Sequence, residues 1–447
     1  MTIDRPYRLT AECHLLSDED DAGVLRHVVY FPLQSLVFRV NASAREVLAQ
    51  LRRGPMRPTT AEDRTFLERL AAMGVVNGEP ESPPSRRVND EPRPVRTMLL
   101  TSDRCNLRCA YCYGDAGSTG DMMPMEIALA AVRLLIRNAV ALKQRAIHVS
   151  FHGGGEPTVN WPVLKEVIET AGKRCQENNL KLAASICTNG MLDEEQVRWI
   201  ARHMTSVVVS VDGPPEIQDA QRPTASGRPS FEGVARALDQ FKQLDKPLVF
   251  RMTATALSTE TLGRSYRFLV ERFAPRSICI EPLFVCGRCH TSDVAMPEAE
   301  TFIQGLKEVM QIARDTGVPM MYSGGRLNYL NDRFCGAAGD NFFVTPRGEV
   351  TSCVEISDFD DPRSQKFIYG QYNRESGEFE FDTESYRALS QLTVHTYPEC
   401  KDCFARWHCA GDCPAKAPEG GKTRNTYRCE INRQVLKMQL FHMVTAK

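Results

Sequence analysis

The sequence predicts an α/β protein: a partial (β/α)6 TIM barrel between a winged-helix-like α+β domain and a cysteine-rich, metal-binding domain. With 447 residues the chain is too long for one ordinary core, so two or three domains are expected. In its middle part, strand-like runs alternate with amphipathic helices, as in parallel sheets. The cysteines concentrate in two places. The predicted boundaries are a domain at 1–80, a linker at 81–96, a barrel at 97–325 and a cysteine-rich domain at 326–447.

The composition argues against a nucleic-acid-binding, secreted or membrane-spanning protein. A formal net charge of -1 gives no reason to expect a polyanionic partner, and no apolar run is long enough for a signal peptide or a membrane span. A soluble, cytoplasmic protein is therefore expected. Because that compartment keeps thiols reduced, 16 cysteines indicate metal binding or redox chemistry rather than disulfides.

The first 80 residues combine strands with capped helices. Three alternating apolar segments, YRLTAECHLL, HVVYF and SLVFRV, predict an antiparallel hairpin or meander. Two helices should follow, the first ending at Gly54 and the second running from a cap at Thr59 or Thr60 to Gly74. The Pro-rich, charged stretch NGEPESPPSRRVNDEPRPVR then predicts the linker.

Six strands of the barrel are predicted from their apolar runs: TMLLTS, AIHVSF, LAASICT, SVVVSV, PLVFRMTAT and SICIEPL. Amphipathic helices separate them, such as PMEIALAAVRLLIRNAV, VLKEVIETAGKRCQ, EEQVRWIARHM, FEGVARALDQFKQL and TLGRSYRFLVERF. In such a barrel the chemistry belongs at the carboxyl ends of the strands. Unusual motifs follow the first four strands in turn: CNLRCAYC, HGGGEPT, CTNG and SVDGP.

Cys105, Cys109 and Cys112 are spaced x3 and x2 after the first strand. A closed zinc or iron–sulfur site wants more than three ligands, so these three thiolates indicate a missing partner or a metal corner left open. In this context the sequence resembles the radical S-adenosylmethionine (radical SAM) family. The resemblance implies a [4Fe–4S] cluster whose free iron binds S-adenosylmethionine, with Tyr111 packing beside the adenine. A zinc knuckle with a remote fourth ligand is the alternative.

The other strand-end motifs hold the candidate cofactor contacts. Glycines allow close backbone approach, and by resemblance Gly154, Gly155 and Glu156 form the motif that binds the methionyl amine. The ribose contacts implied in the same way are Ser210 and Asp212, and Asn189 is a further candidate for a cofactor contact. Helix caps and Asx turns also favour these residue types. Arg251, in the fifth strand, is a candidate for the cofactor carboxylate or for a structural salt bridge.

Seven cysteines in the last quarter resemble the SPASM extension, which holds auxiliary iron–sulfur clusters. The resemblance assigns one group completely to an outer cluster: Cys400, Cys403, Cys409 and Cys429. It assigns a second group to an inner cluster, one ligand short: Cys335, Cys353 and Cys413. Asp340 and Asn341 stand where some relatives supply the missing cysteine, so Asp340, another cysteine or an open iron remain alternatives. A zinc ribbon is the other interpretation of the four-cysteine run.

The remaining cysteines carry weaker hypotheses. Cys286 and Cys289, with His290 beside them, suit a metal or substrate-thiol role, but packing is the commoner explanation for an isolated pair. Four others lie in apolar or helical contexts and are predicted to be core residues: Cys13, Cys175, Cys187 and Cys279.

The front domain suggests the substrate class. Its strands and helices resemble the recognition element of enzymes that mature ribosomally made peptides, which accepts a leader peptide as an added strand. A DNA-binding winged helix is the rival, yet residues 1–90 hold 12 Arg, no Lys and 13 acidic residues. The sequence thus predicts a radical SAM/SPASM peptide maturase with a leader-bearing precursor and a flavodoxin or ferredoxin as partners, and no nucleic acid or membrane. Sulfatase-maturase-like oxidation of Cys or Ser and a non-catalytic zinc-ribbon module are the alternatives.

Overall fold

A computed structural model describes residues 5–19, 23–86, 90–117, 120–357, 359–417 and 424–445. Within these ranges the strands form a small three-stranded sheet and a sheet of eleven strands. Each sheet has its own apolar core, one under the small sheet and a much larger one between the long sheet and its helices.

The first domain is an antiparallel meander followed by two helices, as the sequence predicts. The strands are β1 (His14–Glu19), β2 (Leu25–Phe31) and β3 (Leu36–Val40), and the helices are α1 (Ala42–Arg53) and α2 (Ala61–Ala72). Asn41 caps α1 by accepting a hydrogen bond from Ala44 N, and Thr60 forms a capping box with Asp63 at the start of α2. Apolar faces of both helices cover the sheet, with Leu48 and Leu67 fully buried.

The barrel region contains the six predicted strands in parallel. They are β4 (Arg96–Leu99), β5 (Ala146–Phe151), β6 (Lys181–Thr188), β7 (Ser206–Ser210), β8 (Leu248–Ala254) and β9 (Ser277–Pro282). The intervening helices are α3 (Met125–Ala141), α4 (Trp161–Glu177), α5 (Glu194–His203), α6 (Pro215–Gln221), α7 (Phe231–Gln243), α8 (Ala256–Thr259) and α9 (Leu262–Phe273). Neighbours in the sheet follow chain order from β4 to β9. All the strand ends that carry the unusual motifs therefore lie along one edge.

Burial alternates along these strands because one face packs on the helices. In β8, Phe250 and Met252 are buried among helix side chains, whereas Arg251 between them lies on the opposite face and is exposed. The face with Arg251 is the inner wall of the open barrel, so polar side chains there remain accessible.

The last part of the chain contains more regular structure than the sequence predicts. After α10 (Ala299–Thr316) and β10 (Met320–Met321), four short strands extend the barrel sheet beyond β4: β11 (Phe343–Val344), β12 (Glu349–Thr351), β13 (Ile368–Asn373) and β14 (Glu378–Phe381). Strand β11 pairs with β4 in parallel, and the following three strands are antiparallel. Four helices complete the region: α11 (Ser364–Phe367), α12 (Thr383–Leu389), α13 (Arg406–Cys409) and α14 (Thr426–Thr445). The prediction of a turn-rich segment with little periodicity was incomplete here.

The first domain contacts the cysteine-rich region directly. Tyr30 forms a buried hydrogen bond with His408, and Trp407 Nε1 donates to Glu12 Oε2 at 2.7 Å. Lys437 Nζ lies 2.7 Å from Asp18 Oδ1. The meander is thus attached to α13 and α14. Within the described part of the chain, none of the helices combines the length and apolar content that crossing a bilayer demands.

Candidate metal centres and cofactor site

The loop that follows β4 carries Cys105, Cys109 and Cys112 and is held by backbone contacts to the neighbouring strand ends. Ala110 N donates to Gln221 O at 2.9 Å, at the end of α6. Arg288 holds the other side of the loop: Nη1 donates to Cys109 O at 3.0 Å, and Nε to Asp115 Oδ1 at 2.9 Å. This role of Arg288 could not be predicted from the sequence, because the residue lies two positions after Cys286 in a segment without local periodicity.

The surroundings of the three thiols suit thiolate ligands. Cys105 Sγ accepts from Leu107 N at 3.4 Å and from Asn189 Nδ2 at 3.7 Å, and Cys112 Sγ accepts from Ala116 N at 3.5 Å. Such donors stabilise anionic sulfur. Burial, together with the Glu156 carboxylate, raises the pKa of Cys105 to about 11, so the bare thiol stays protonated at neutral pH and bound iron must displace the proton.

The glycine run lies directly against the segment that enters this loop. Gly153 and Gly154 have φ of +77° and +50°, and Gly155 N donates to Ser102 O at 2.7 Å. A Cβ on Gly155 would lie 2.0 Å from Arg104 O. The close approach of two backbones explains why glycine occupies this position.

We expect Gly155→Ala to displace the Ser102–Arg104 segment and, with it, the start of the cysteine loop. The variant should lose at least about tenfold in S-adenosylmethionine cleavage and unfold with a cost of about 1–3 kcal/mol, typical of forced overpacking. The control is Gly172→Ala in α4, where a Cβ meets nothing within 4 Å and helix propensity improves. Equal behaviour of the two variants, measured as 5′-deoxyadenosine yield and melting temperature, would contradict this account.

Glu156 is buried and its carboxylate accepts several hydrogen bonds from the protein. Oε1 accepts from Thr188 Oγ1 and Thr158 Oγ1, both at 2.8 Å, and Oε2 accepts from Asn189 N at 2.7 Å. Burial raises the pKa of Glu156 despite these donors. The carboxylate therefore links the strand ends of β5 and β6 and fixes Asn189.

Asp212 and Tyr111 are hydrogen-bonded to each other, an interaction that the sequence did not predict. Asp212 Oδ2 accepts from Tyr111 at 2.5 Å and from Arg222 Nε at 2.9 Å, and its Oδ1 accepts from Thr253 N at 3.0 Å. Arg222 also lies over the Tyr111 ring at 5.1 Å and has Nη1 3.9 Å from Cys109 Sγ. Because the Asp212 side chain is wholly buried, it organises the cysteine loop and has no free oxygen for a ribose.

The other candidate cofactor contacts lie on the inner wall of the barrel. Ser210 bonds the Cys187 thiol and lowers its pKa, which burial raises, while Arg251 faces Cys187 and Cys279. Both cysteines are partly accessible, so their prediction as core residues was wrong. Cys13 and Cys175 are core residues as expected.

The C-terminal cysteines come together in two groups. Burial raises the pKa of the Cys353 thiol, and Cys413 and Cys335 raise it further because they face it. Likewise Cys403 and Cys429 add to the effect of burial on Cys400, whose pKa rises to about 12. Cys409 belongs to this second group as well. Burial and Asp412 raise the pKa of its thiol most, and Cys429 and Cys403 add smaller contributions. Each thiol would become an anionic ligand only with bound metal.

Buried polar contacts brace the second group. Asn432 Nδ2 donates to Cys409 Sγ at 3.3 Å, and Arg428 holds Asp412 through two hydrogen bonds of 2.8 and 2.9 Å. Within the described ranges, no group of three or more His, Cys, Asp or Glu side chains closes on a single metal ion. The thiolates that bind an iron–sulfur cluster are separated by several iron and sulfide atoms. Cysteines too far apart to share one metal ion can therefore still bind a cluster.

Asp340 and the pair Cys286 and Cys289, which were the weaker candidates for metal ligands, have other partners in the structure. Asp340 forms an ion pair with Arg86, and Cys286 donates its thiol to Phe284 O at 3.2 Å. Cys289 is buried against Tyr111 and Leu283, as a packing residue would be. Gly287, between the two cysteines, has φ of +53°, and its ideal Cβ would lie 2.3 Å from Cys112 O.

Comparison with known proteins agrees with this geometry. Residues 99–269 match the model of the Radical SAM superfamily. A cysteine-type anaerobic sulfatase-maturating enzyme of Clostridium perfringens is 24% identical over 343 residues, which cover 72% of this chain and 89% of that protein.

Two solved structures are similar in fold. The native sulfatase-maturating enzyme anSMEcpe with bound AdoMet has a TM-score of 0.63 at 20% identity, covering 78% of this chain and 99% of that one. Streptococcus suis SuiB bound to its precursor peptide SuiA has a TM-score of 0.54 at 14% identity, covering 94% and 99%. Residues 99–269, with their cysteine loop at the carboxyl edge of a parallel sheet, therefore form a Radical SAM domain, and enzymes of this superfamily use a [4Fe–4S] cluster and S-adenosylmethionine. Over most of its length the chain is similar to an anaerobic sulfatase-maturating enzyme.

Proposed function

We propose that this enzyme modifies a ribosomally synthesised precursor peptide, installing a C–C, C–S or related bond. The observation that carries the proposal is an apolar groove beside the edge strand β3 in the first domain. The bound cofactor would supply a carbon radical able to remove hydrogen from unactivated carbon. The domain boundaries predicted from the sequence belong to this proposal, with residues 1–80 as the leader-binding domain.

We assign the residues of the radical site as follows. Cys105, Cys109 and Cys112 hold the cluster. Backbone groups of Gly154 and Gly155 line the place for the methionyl amine. Ser210 and Arg251 face the barrel interior, where the cofactor ribose and carboxylate would lie, and Asn189 fixes the loop near Cys105.

The groove lies between β3 and α2. Among the described strands, β3 pairs only with β2 in its sheet, and α14 packs near β3. An added peptide strand would pair with β3 beside this helix. A cavity of about 410 Å³ runs beside it, and its apolar lining includes Phe38, Phe66 and Met73. Arg39 and Arg69 also line it. An extended peptide with apolar and acidic side chains fits this chemistry.

Groove substitutions test the proposal better than deletion of the domain does. Removing the meander would uncover His408 and Trp407 beside the C-terminal cysteines, so lost activity would be ambiguous. Arg69→Glu and Met73→Glu instead change side chains that line the groove, and Met73 is 49% exposed. We expect each to weaken binding of the precursor by about tenfold or more, since each places negative charge against an acidic peptide.

The measurement uses the short peptide expected to be encoded next to the gene, labelled for fluorescence anisotropy and followed by mass spectrometry for a mass shift. Arg53→Glu, an exposed change of the same charge at the end of α1, is the matched control and should bind normally. Uncoupled 5′-deoxyadenosine formation should persist in all three variants. Normal peptide binding by the groove variants would refute leader docking here.

Oxidation of a Cys or Ser in a protein substrate is the second candidate, favoured by the similarity to the sulfatase-maturating enzyme over 72% of the chain. The same groove variants distinguish this candidate from the peptide maturase. A sulfatase-type substrate should be turned over equally by the groove variants, because its recognition would not involve the meander. A flavodoxin or ferredoxin is proposed as electron donor for either reaction.

A further inference from the structure

The inner cysteine group contains a carboxylate as well as its three thiols. Glu355 follows Cys353 in a tight turn, closed by a hydrogen bond from Ile356 N to Cys353 O at 3.1 Å. Lys416 follows Cys413 in a similar turn, with its backbone N donating to Cys413 O at 3.2 Å. The two turns meet, because Lys416 Nζ lies 3.3 Å from Glu355 Oε1.

Only one oxygen of this carboxylate is satisfied. Glu355 Oε2 is buried and accepts no hydrogen bond from the described residues. Leaving a charged acceptor buried without a partner costs more than a neutral one, so buried carboxylate oxygens are normally paired. A cation bound beside these thiols would supply the partner that Glu355 Oε2 lacks among the described residues.

The pKa values of the three thiols agree with a carboxylate at this place. Next to burial, Glu355 makes the largest contribution to the raised pKa values of Cys353 and Cys413, and it also raises that of Cys335. Its own backbone N–H lowers the pKa of Cys353 and so points at that sulfur. The two turns, joined by the ion pair between Lys416 and Glu355, therefore bring this carboxylate beside Cys353 and Cys413.

We propose that Glu355 is the fourth ligand of the inner auxiliary cluster, binding its remaining iron through Oε2 while Lys416 holds Oε1. This inference rests on the proposed assignment of Cys335, Cys353 and Cys413 to an iron–sulfur cluster. Lys416 orients the carboxylate in the way that outer hydrogen-bond partners orient metal ligands. Carboxylate is a harder ligand than thiolate, so this iron should exchange its ligand more readily than the other three.

The competing ligands already have partners. Asp340, the carboxylate nearest to the expected position in sequence, pairs with Arg86. Cys286 lies near Glu355, but its thiol donates to Phe284 O at 3.2 Å. Both serve as control positions.

The test uses the full chain with Cys105, Cys109 and Cys112 replaced by alanine, which removes the radical-site cluster. Protein labelled with 13C at the glutamate carboxyl carbon is reduced, and electron–nuclear double resonance is recorded on the cluster signal. We expect a 13C coupling that is lost in Glu355→Ala and kept in Asp340→Asn and Cys286→Ser. No coupling in the parent protein, or a coupling that survives Glu355→Ala, would overturn the proposal.

Iron content separates failure of this inference from failure of the cluster assignment. The parent should hold about eight irons per chain, which correspond to two clusters. A content of about four would show that the inner cluster does not form, and the inference about Glu355 would fail with it. If Glu355→Ala loses the inner cluster, Glu355→Cys should restore it, because thiolate binds iron at least as well. Loss in both variants would count against a ligand role.

Discussion

Replacing Cys105, Cys109 and Cys112 together with alanine is expected to abolish 5′-deoxyadenosine formation. These thiols occupy the carboxyl edge of the sheet, and Arg222, Arg288 and the glycine run hold their loop in place. Of the other described cysteines, Cys289 packs against Tyr111 at this loop. Without thiolates the open iron that binds the cofactor has no anchor, so turnover should fall to background.

The variant should lose about four irons per chain and keep the iron of the two C-terminal groups. Anaerobic purification followed by iron analysis and chromatography of the nucleoside product measures both effects. Cys175→Ala, a cysteine buried in α4 away from every proposed cluster, is the matched control and should retain full yield and iron. Measurable cofactor cleavage by the triple variant would place the radical site elsewhere.

The largest effect on stability is expected from Arg222→Met. This substitution leaves Asp212 buried with 0% side-chain exposure and without its cation. Removing one partner of a buried ion pair costs about 3–5 kcal/mol, because the remaining charge stays desolvated. Since Arg222 also lies 3.9 Å from Cys109 Sγ and over Tyr111, the cysteine loop should loosen as well, lowering both the melting temperature and the iron content.

Arg272→Met provides the comparison. Arg272 pairs with Asp239 through hydrogen bonds of 2.7 and 2.6 Å, but at an exposed position on α9. Exposed pairs contribute about 0–1 kcal/mol, so this variant should melt close to the parent protein and keep its iron. Equal destabilisation of the two variants would mean that burial does not set the strength of the Arg222 contact.

The parallel strands could be predicted because each is a continuous apolar run with a helix after it. The strands β11 to β14 could not, since β11 has two residues and its pairing with β4 joins segments far apart in the chain. Local pattern carries no information about such a pairing. The leader-binding role of the first domain stays a prediction.

At the candidate site, the cysteine and glycine motifs could be predicted from the sequence, but the side chains that contact them could not. The cysteines and glycines form recognisable spacings, whereas Arg222 and Arg288 are single cations in irregular segments and Glu355 follows a cysteine without any motif. For Asp212, the resemblance to the radical SAM family implied a ribose contact. Its pairing with Arg222 depends on a turn of α6 that brings the two together, which composition does not encode.

The pairing of β4 with β11 has a consequence for synthesis. Phe343 and Val344 reach the first barrel strand 245 residues after Met98 and Leu99 leave the ribosome. At about 5–20 residues per second, that interval lasts roughly 12–50 s, during which the growing polypeptide shows an uncovered strand edge to its neighbours. Slow translation or crowded expression should therefore favour aggregation of incomplete chains, and a chaperone that shields this edge should raise the yield of intact enzyme.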